Sequence, residues 1–215
     1  IMVTIEDKYF SIPQICRSGQ CFRLDPVSED TYEMIASDRY LRIKVENQGT
    51  SGSADDKAGK KDDPVRTVLY CSPEEYESFW KRYFDLDTSY EDYLAGIDPE
   101  DGYLRTAARF GSGIRILRQD VWEMIITFIL SQQNNIPRIK GLIRAVSEKY
   151  GQKMEAWDGT LYDAFPTPGR LAEASEEELR ALKLGYRSRY ICGTARMITN
   201  GEVKLDELQN MGHPE

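Results

Sequence analysis

The hydrophobic period of this chain changes once, near Ser72, and that single change limits the folds open to it. Before it, the stretch YLRIKVE alternates Leu41, Ile43 and Val45 with Arg42, Lys44 and Glu46. That is the period-two pattern of a strand with one buried face. DTYEMIAS and VRTVLYC suit neighbouring strands. After it, SPEEYESFWKRYF sets Tyr76, Phe79, Trp80 and Tyr83 at i, i+3, i+4 and i+7, one face of a helix. Ser72, Pro73 and Glu75 supply an N-cap, a first helical position and a capping box.

This grammar predicts an α+β chain, with a small antiparallel β domain over residues 1–71 and a helical domain over 72–215. Helices within 72–95 are placed to pack back on the sheet. Residues 47–64 (NQGTSGSADDKAGKKDDP) hold no large apolar side chain and read as a mobile loop between two antiparallel strands. Further helices are expected near 90–95, 102–109 and 120–131, with Asp120 capping the last. A helix from Asn135 or Ile136 buries Ile139, Leu142, Ile143, Val146 and Tyr150. Another runs from Ser175 toward a stop at Gly185, with Glu178 in the capping box. One more precedes Gly201, and KLDELQNM starts the last. No solenoid-period repeat is present.

Composition excludes several classes. The 215 residues are 40% hydrophobic and 11% aromatic, enough for a sizeable core. The longest apolar run, from Met124 to Leu130, is too short to span a bilayer, and no signal-peptide pattern is present. Cys16, Cys21, Cys71 and Cys192 form no CxxC pair, and His213 is the one histidine. No metal site, cofactor or disulfide scaffold is therefore expected, and reduced thiols in a cytoplasm are. The net charge of −8 speaks against a nucleic-acid binder. Its distribution does not, because 55–63 and 91–101 concentrate the acid. Residues 105–118 and 180–196 carry arginines and Lys183 with no acid.

A lone histidine makes a Ser-His-Asp site improbable. FGSGIR lacks the third glycine and the GK[ST] of a nucleotide loop. Three segments stand out. In FILSQQNNIPRIKGLI, Ser131, Gln132, Gln133, Asn134 and Asn135 form an unbroken polar row between two apolar runs. Asn135 caps the second helix, but capping accounts for one or two amides, not four. Two readings stay open: local capping and core hydrogen bonding, or amides presented to base edges beside Arg138 and a helix N-terminus. In LGYRSRY, Gly185 closes a helix and puts Tyr186 and Arg187 at a turn tip. They either pack and solvate there, or wedge and read a base. In RSGQCFR, Gly19 either serves a bend or lets its backbone approach a ligand closely.

Taken together, SGQCFR, LRQDVWEMIITFILSQQNNIPRIKGLI and LGYRSRY resemble the 8-oxoguanine DNA glycosylase family of the helix-hairpin-helix superfamily. Order and spacing match from about Ile12 to Met211. The resemblance implies a sheet domain followed by a helical glycosylase domain. It implies base excision repair: an oxidised guanine flipped out of duplex DNA and excised, with an AP lyase step. Gly19 would offer its carbonyl to the lesion and Phe22 would wall the pocket. Gln133, Asn134, Asn135 and Arg138 would meet the gap and the orphaned cytosine, with Tyr186 wedging and Arg187 contacting it. The partner would be double-stranded DNA containing oxidised guanine, bound by a monomer in a cytoplasm or nucleoid.

Three departures qualify it. Leu24 stands where tryptophan is common, and Gln133 where the family has its first Asn. The family's GVGxK nucleophile and catalytic Asp are expected beyond Glu215, so the chain is expected to be truncated before the helix-hairpin-helix and inactive alone. The competing expectations are an alkylated-base glycosylase and a non-catalytic DNA- or protein-binding module.

Overall fold

The computed structural model describes residues 1–46 and 65–210, with backbone alone for 209 and 210. The segment 47–64, expected as a mobile loop, and His213 lie outside the described residues. The chain divides into two compact units: Ile1–Met34 with Leu41–Arg118, and Ile35–Tyr40 with the residues from Gln119 onward.

In the first unit come β1 (Val3–Glu6), α1 (Ile12–Arg17) and β2 (Leu24–Pro26), then β3 (Thr31–Ala36), β4 (Arg39–Glu46) and β5 (Arg66–Tyr70). The turn between β3 and β4 clusters with the second unit. The strands form one antiparallel sheet in the order β1-β5-β4-β3-β2. Leu41, Ile43 and Val45 are buried as their alternation requires. α1 interrupts a stretch whose sequence reads as β throughout. Ser11 caps it by accepting from the Gln14 N–H (3.4 Å), Pro13 lies in its first turn, and Ile12 and Ile15 are fully buried.

The helical run after Ser72 is α2 (Pro73–Glu75), a π-helical turn (Tyr76–Trp80) and α3 (Lys81–Tyr83). The extra residue of the π turn rotates the buried face. Trp80, Tyr83 and Phe84 are buried, while Tyr76 and Phe79 are half-exposed. Ser72 caps as expected (Glu75 N–H, 3.1 Å), and the Glu75 carboxylate accepts from the Trp80 indole at 2.9 Å. α4 (Tyr90–Ala95) and α5 (Gly102–Phe110) follow.

The first compact unit continues past Cys71 to Arg118. Phe84 packs edge-on against Phe10, with ring centroids 5.2 Å apart, so the helices share the sheet's core. Arg115 is the polar hub. Its guanidinium donates to Asp7 Oδ2 (2.6 Å) and to the carbonyls of Asp85 (2.7 Å) and Thr88 (3.1 Å), and lies over the Tyr90 ring. The FGSGIR segment is tied to α1: Ser11 N–H donates to the Gly113 carbonyl (2.9 Å), and Gly113 N–H donates to Gln14 Oε1 (2.9 Å).

The second unit carries α6 (Val121–Ser131), α7 (Ile136–Tyr150) and a two-stranded hairpin of β6 (Lys153–Glu155) and β7 (Leu161–Asp163). α8 (Pro168–Ala172), α9 (Glu176–Ala181), α10 (Arg187–Thr199) and α11 (Leu205–Asn210) complete it. Asp120 caps α6 (Glu123 N–H, 2.8 Å), and Ser175 with Glu178 forms a full capping box on α9. Ile139, Leu142, Ile143, Val146 and Tyr150 of α7 are buried. α9 ends at Ala181, four residues short of the stop expected at Gly185, and Lys183 and Gly185 then adopt left-handed backbone (φ 65° and 62°). No helix among the described residues is long and apolar enough to cross a membrane.

Two outcomes follow. A Cβ on Gly113 would lie 2.3 Å from Ser11 Cβ and 3.1 Å from the Ser11 nitrogen. Gly113→Ala should therefore lower stability by about 1–3 kcal/mol, read from urea melts. An unchanged midpoint would show that α1 does not hold this segment. Cys21, Cys71 and Cys192 are buried, and burial pushes the Cys71 thiol up to about 12. Native protein at pH 7.5 should react promptly with a disulfide reagent at Cys16 alone. Four fast thiols would contradict this packing.

Candidate nucleic-acid interface

In the second unit, the polar row turns the corner between α6 and α7. Helix α6 ends at Ser131 with several carbonyls lacking helical partners. Ser131 Oγ (2.8 Å) and Gln132 Nε2 (3.3 Å) donate to the Phe128 carbonyl, and Asn134 Nδ2 donates to the Leu130 carbonyl (3.1 Å). Asn134 Oδ1 accepts from Asn135 N–H at 3.2 Å, and Asn135 Oδ1 caps α7 by accepting from Arg138 N–H at 3.0 Å. Local capping thus occupies more of the row than one or two amides. Gln133 differs. Its backbone is left-handed (φ 49°), it is exposed, and its side-chain amide has no partner among the described residues. A non-glycine residue in that region is strained by roughly 1–2 kcal/mol and persists only when its surroundings hold it there.

Arg187 does the holding. It is 5% exposed, although its position at a turn tip predicts a solvated or ligand-facing side chain. Its Nη2 donates to the Gln132 carbonyl at short range and to the Gln133 carbonyl at 3.4 Å. The tip folds inward at this residue because Leu184, fully buried, anchors the turn and Gly185 in left-handed backbone redirects the chain into α10. Tyr186 stays half-exposed, donates its hydroxyl to the Gln132 carbonyl (3.4 Å), and takes the Arg187 guanidinium 4.7 Å from its ring centroid. Corner and tip, 54 residues apart in sequence, are therefore one hydrogen-bonded patch. Phe128, Ile136 and Tyr190 add exposed apolar surface on the same elements. Arg138 is exposed, and its side chain has no partner among the described residues.

Gly19 and Phe22 belong to the first unit. Gly19 has φ 77°, so a side chain there would be strained even though no atom lies within 4 Å of a built Cβ. Phe22 is half-exposed. The loop is held by Gln20, which sequence reading passed over. Gln20 Nε2 donates to the Arg115 carbonyl (2.9 Å) and its Oε1 accepts from Leu117 N–H (3.0 Å). Arg115 was missed in the same way. A lone arginine inside the apolar stretch GIRIL, with Asp7 far upstream, was the available signal for a buried hub. Among the described residues, no group of three or more His, Cys, Asp or Glu side chains could hold a metal ion.

Two family models cover nearly the whole chain. Residues 2–125 match "8-oxoguanine DNA glycosylase, N-terminal domain" and 126–214 match "HhH-GPD superfamily base excision DNA repair protein". The chain belongs to the 8-oxoguanine DNA glycosylase family. The N-glycosylase/DNA lyase of Saccharomyces cerevisiae is 37% identical over 128 residues, 58% of this chain and 33% of the yeast protein. The DNA-3-methyladenine glycosylase of Bacillus subtilis is 30% identical over 150 residues, 68% of this chain and 48% of that protein. The 8-oxoguanine glycosylase/lyase of Clostridium acetobutylicum, in complex with double-stranded DNA containing cytosine opposite 8-oxoG, superposes with a TM-score of 0.81 at 30% identity. That match covers 99% of this chain and 69% of the Clostridium chain. Against the yeast protein, the matched stretch spans about a third of the relative's length. Sheet followed by helices is the shared architecture of this family.

Removing the two arginines should have unequal consequences for stability. Arg187→Ala takes the guanidinium partner from the Gln133 carbonyl, leaves the Gln132 carbonyl with the Tyr186 hydroxyl, and empties a buried site, and should cost about 2 kcal/mol in a urea melt. Arg138→Ala removes an exposed side chain and should stay within about 0.5 kcal/mol of the parent. Equal stability of the two variants would show that Arg187 does not hold the corner.

Proposed function

We propose that this chain carries the duplex-recognition surface of an 8-oxoguanine DNA N-glycosylase/AP lyase, which flips an oxidised guanine out of the helix before excision. The observation that carries this reading is the joining of the amide corner to the Tyr186–Arg187 tip through the Gln132 carbonyl, in a chain of this family. A flipped base leaves a gap and an orphaned partner, whose lost hydrogen bonds need replacement by neutral donors and acceptors of fixed geometry. Gln133, Asn135 and Arg138 are exposed at the corner, and Asn134 partly so. Tyr186 presents a ring to wedge between bases. Arg187 sets the corner through Nη2 from a buried position, and with Nε also buried, Nη1 is the donor left for the orphaned cytosine.

Discrimination of the lesion is assigned to Gly19. Guanine carries a lone pair at N7, whereas the oxidised base carries a hydrogen there. A carbonyl fixed by left-handed backbone attracts the second and repels the first. Phe22 supplies apolar wall beside it. The nucleophile is assigned to no residue of these 215, which contain no GVGxK segment. In this mechanism a lysine amine attacks the sugar C1′, displaces the base and leaves a Schiff base that opens the strand.

An alkylated-base substrate is favoured by the similarity to the Bacillus subtilis enzyme, and disfavoured by the match of residues 2–125 to the N-terminal domain of 8-oxoguanine DNA glycosylase. Fluorescence anisotropy separates the two. Affinity for a duplex with 8-oxoguanine opposite cytosine should exceed that for the undamaged duplex by about tenfold, or ~1.4 kcal/mol. It should also exceed that for an alkylated-base duplex. Equal affinity for damaged and undamaged duplexes removes lesion recognition. Borohydride should trap no covalent adduct between these residues and the oxidised duplex, and a trapped adduct would place the nucleophile within them.

A further inference from the structure

The second unit holds a cavity of about 530 Å3 of which the reading above uses Arg138 alone. Its walls are Arg138, Gly141, Leu142 and Ala145 of α7, with Ala181, Leu182 and Lys183 from the end of α9 and the turn after it. The floor is apolar and shallow because Gly141 and two alanines leave no side chain to fill it; a Cβ on Gly141 would meet nothing within 4 Å. The polar ends are both cationic, with no acid in the lining. Arg138 and Lys183 are exposed, and neither side chain has a hydrogen-bond or ion-pair partner among the described residues. This contrasts with Arg180, on the same helix as Ala181, which is paired with Glu176 at 2.6 Å.

Lys183 carries a second signal. Its φ is 65°, a left-handed conformation costly for a residue with a Cβ. Glycine would sit there without strain, as it does two residues on at Gly185. Lys183 thus combines a strained backbone with a cation, unpaired among the described residues, at the rim of the cleft.

We propose that this cleft is a phosphate-and-sugar subsite for the DNA strand, with Lys183 as a phosphate-contacting residue beside Arg138. Charge favours a polyanion. An apolar floor between two cations suits an alternation of deoxyribose and phosphate, the sugar lying on Leu142, Ala145 and Leu182. Arg138 lies one helical turn from Asn135, so the subsite is continuous with the corner assigned to the opened base pair. The contact reads no base. It therefore adds affinity to damaged and undamaged duplex alike, and fixes the register in which the corner meets the gap.

This proposal rests on the DNA-recognition reading, and the test separates the two. Lys183→Gly removes the cation and relieves the backbone, so its thermal midpoint should equal or exceed the parent's. Lys183→Gln keeps the stem and guards against a loosened turn. Binding is measured by anisotropy with oxidised and undamaged duplexes from 50 to 200 mM salt. Loss of one phosphate contact lowers the slope of log K against log salt by about 0.9, so each variant should lose about 3.5-fold less affinity across that range than the parent. At low salt both should bind the two duplexes more weakly by the same factor, and Lys183→Arg should restore binding. A parent chain that binds neither duplex overturns the functional reading itself. A parent that binds, with Arg138→Ala weakened and both Lys183 variants unchanged in affinity and slope, overturns the subsite alone. A loss confined to the oxidised duplex would place Lys183 at the lesion, and overturns the phosphate assignment.

Discussion

The second unit depends on one buried cation. Arg187 is almost wholly withdrawn from water, and its guanidinium donates to the carbonyls of Gln132 and Gln133. A guanidinium in that position is costly unless its donors are matched; carbonyl oxygens left over at a helix end match Nη2, while Nε is buried without a partner among the described residues. The bond does two things at once. It closes the C-terminal end of α6, and it fixes Gln133 in a left-handed conformation that its own side chain would not choose. The exposed amide of Gln133 is thereby aimed by a residue 54 positions later in the chain.

The first unit uses the same device on a different loop. Gln20 spends both ends of its amide on the backbone of Arg115 and Leu117, and Arg115 spends its guanidinium on two carbonyls and Asp7. In both places irregular backbone carries the proposed recognition group: the Gly19 carbonyl in one unit, the 133–135 amides in the other. In both places a long polar side chain from a distant segment supplies the hydrogen bonds that a helix or sheet would otherwise provide. Such backbone can be held within the tolerance recognition needs without being regular.

What the sequence revealed divides along the same line. Caps and faces are local chemistry, so Asp120, Asn135 and Ser175 announced their helices, and the buried positions of α7 followed from spacing. The alternation of Leu41, Ile43 and Val45 announced β4. Helix α1 stayed hidden because its six residues lie inside a stretch that otherwise reads as β, and the β6–β7 hairpin and α8 are shorter still. The extent of the first unit to Arg118 could not be read, because it depends on contacts between residues far apart in the chain, Phe84 with Phe10 and Arg115 with Asp7. The site shows the same split. Its two segments were recognisable by composition, and Tyr186 is exposed as a turn tip suggests. The inward course of Arg187 was not legible, since nothing local to LGYRSRY says which of its two residues faces water. The row of amides was over-read in one respect: Ser131, Gln132 and Asn134 serve the end of α6, and the surplus that needs explaining is mainly Gln133.

Family membership supplies the context in which these parts make chemical sense, and the geometry supplies the division of labour among them. The most direct test of the central claim is hydrogen–deuterium exchange of the backbone amides with and without a duplex carrying 8-oxoguanine opposite cytosine. The account predicts that peptides spanning 131–138 and 184–190 gain protection together on binding, because one hydrogen-bonded patch meets the opened base pair. Protection of one segment without the other, or of neither while binding is saturated, would contradict it.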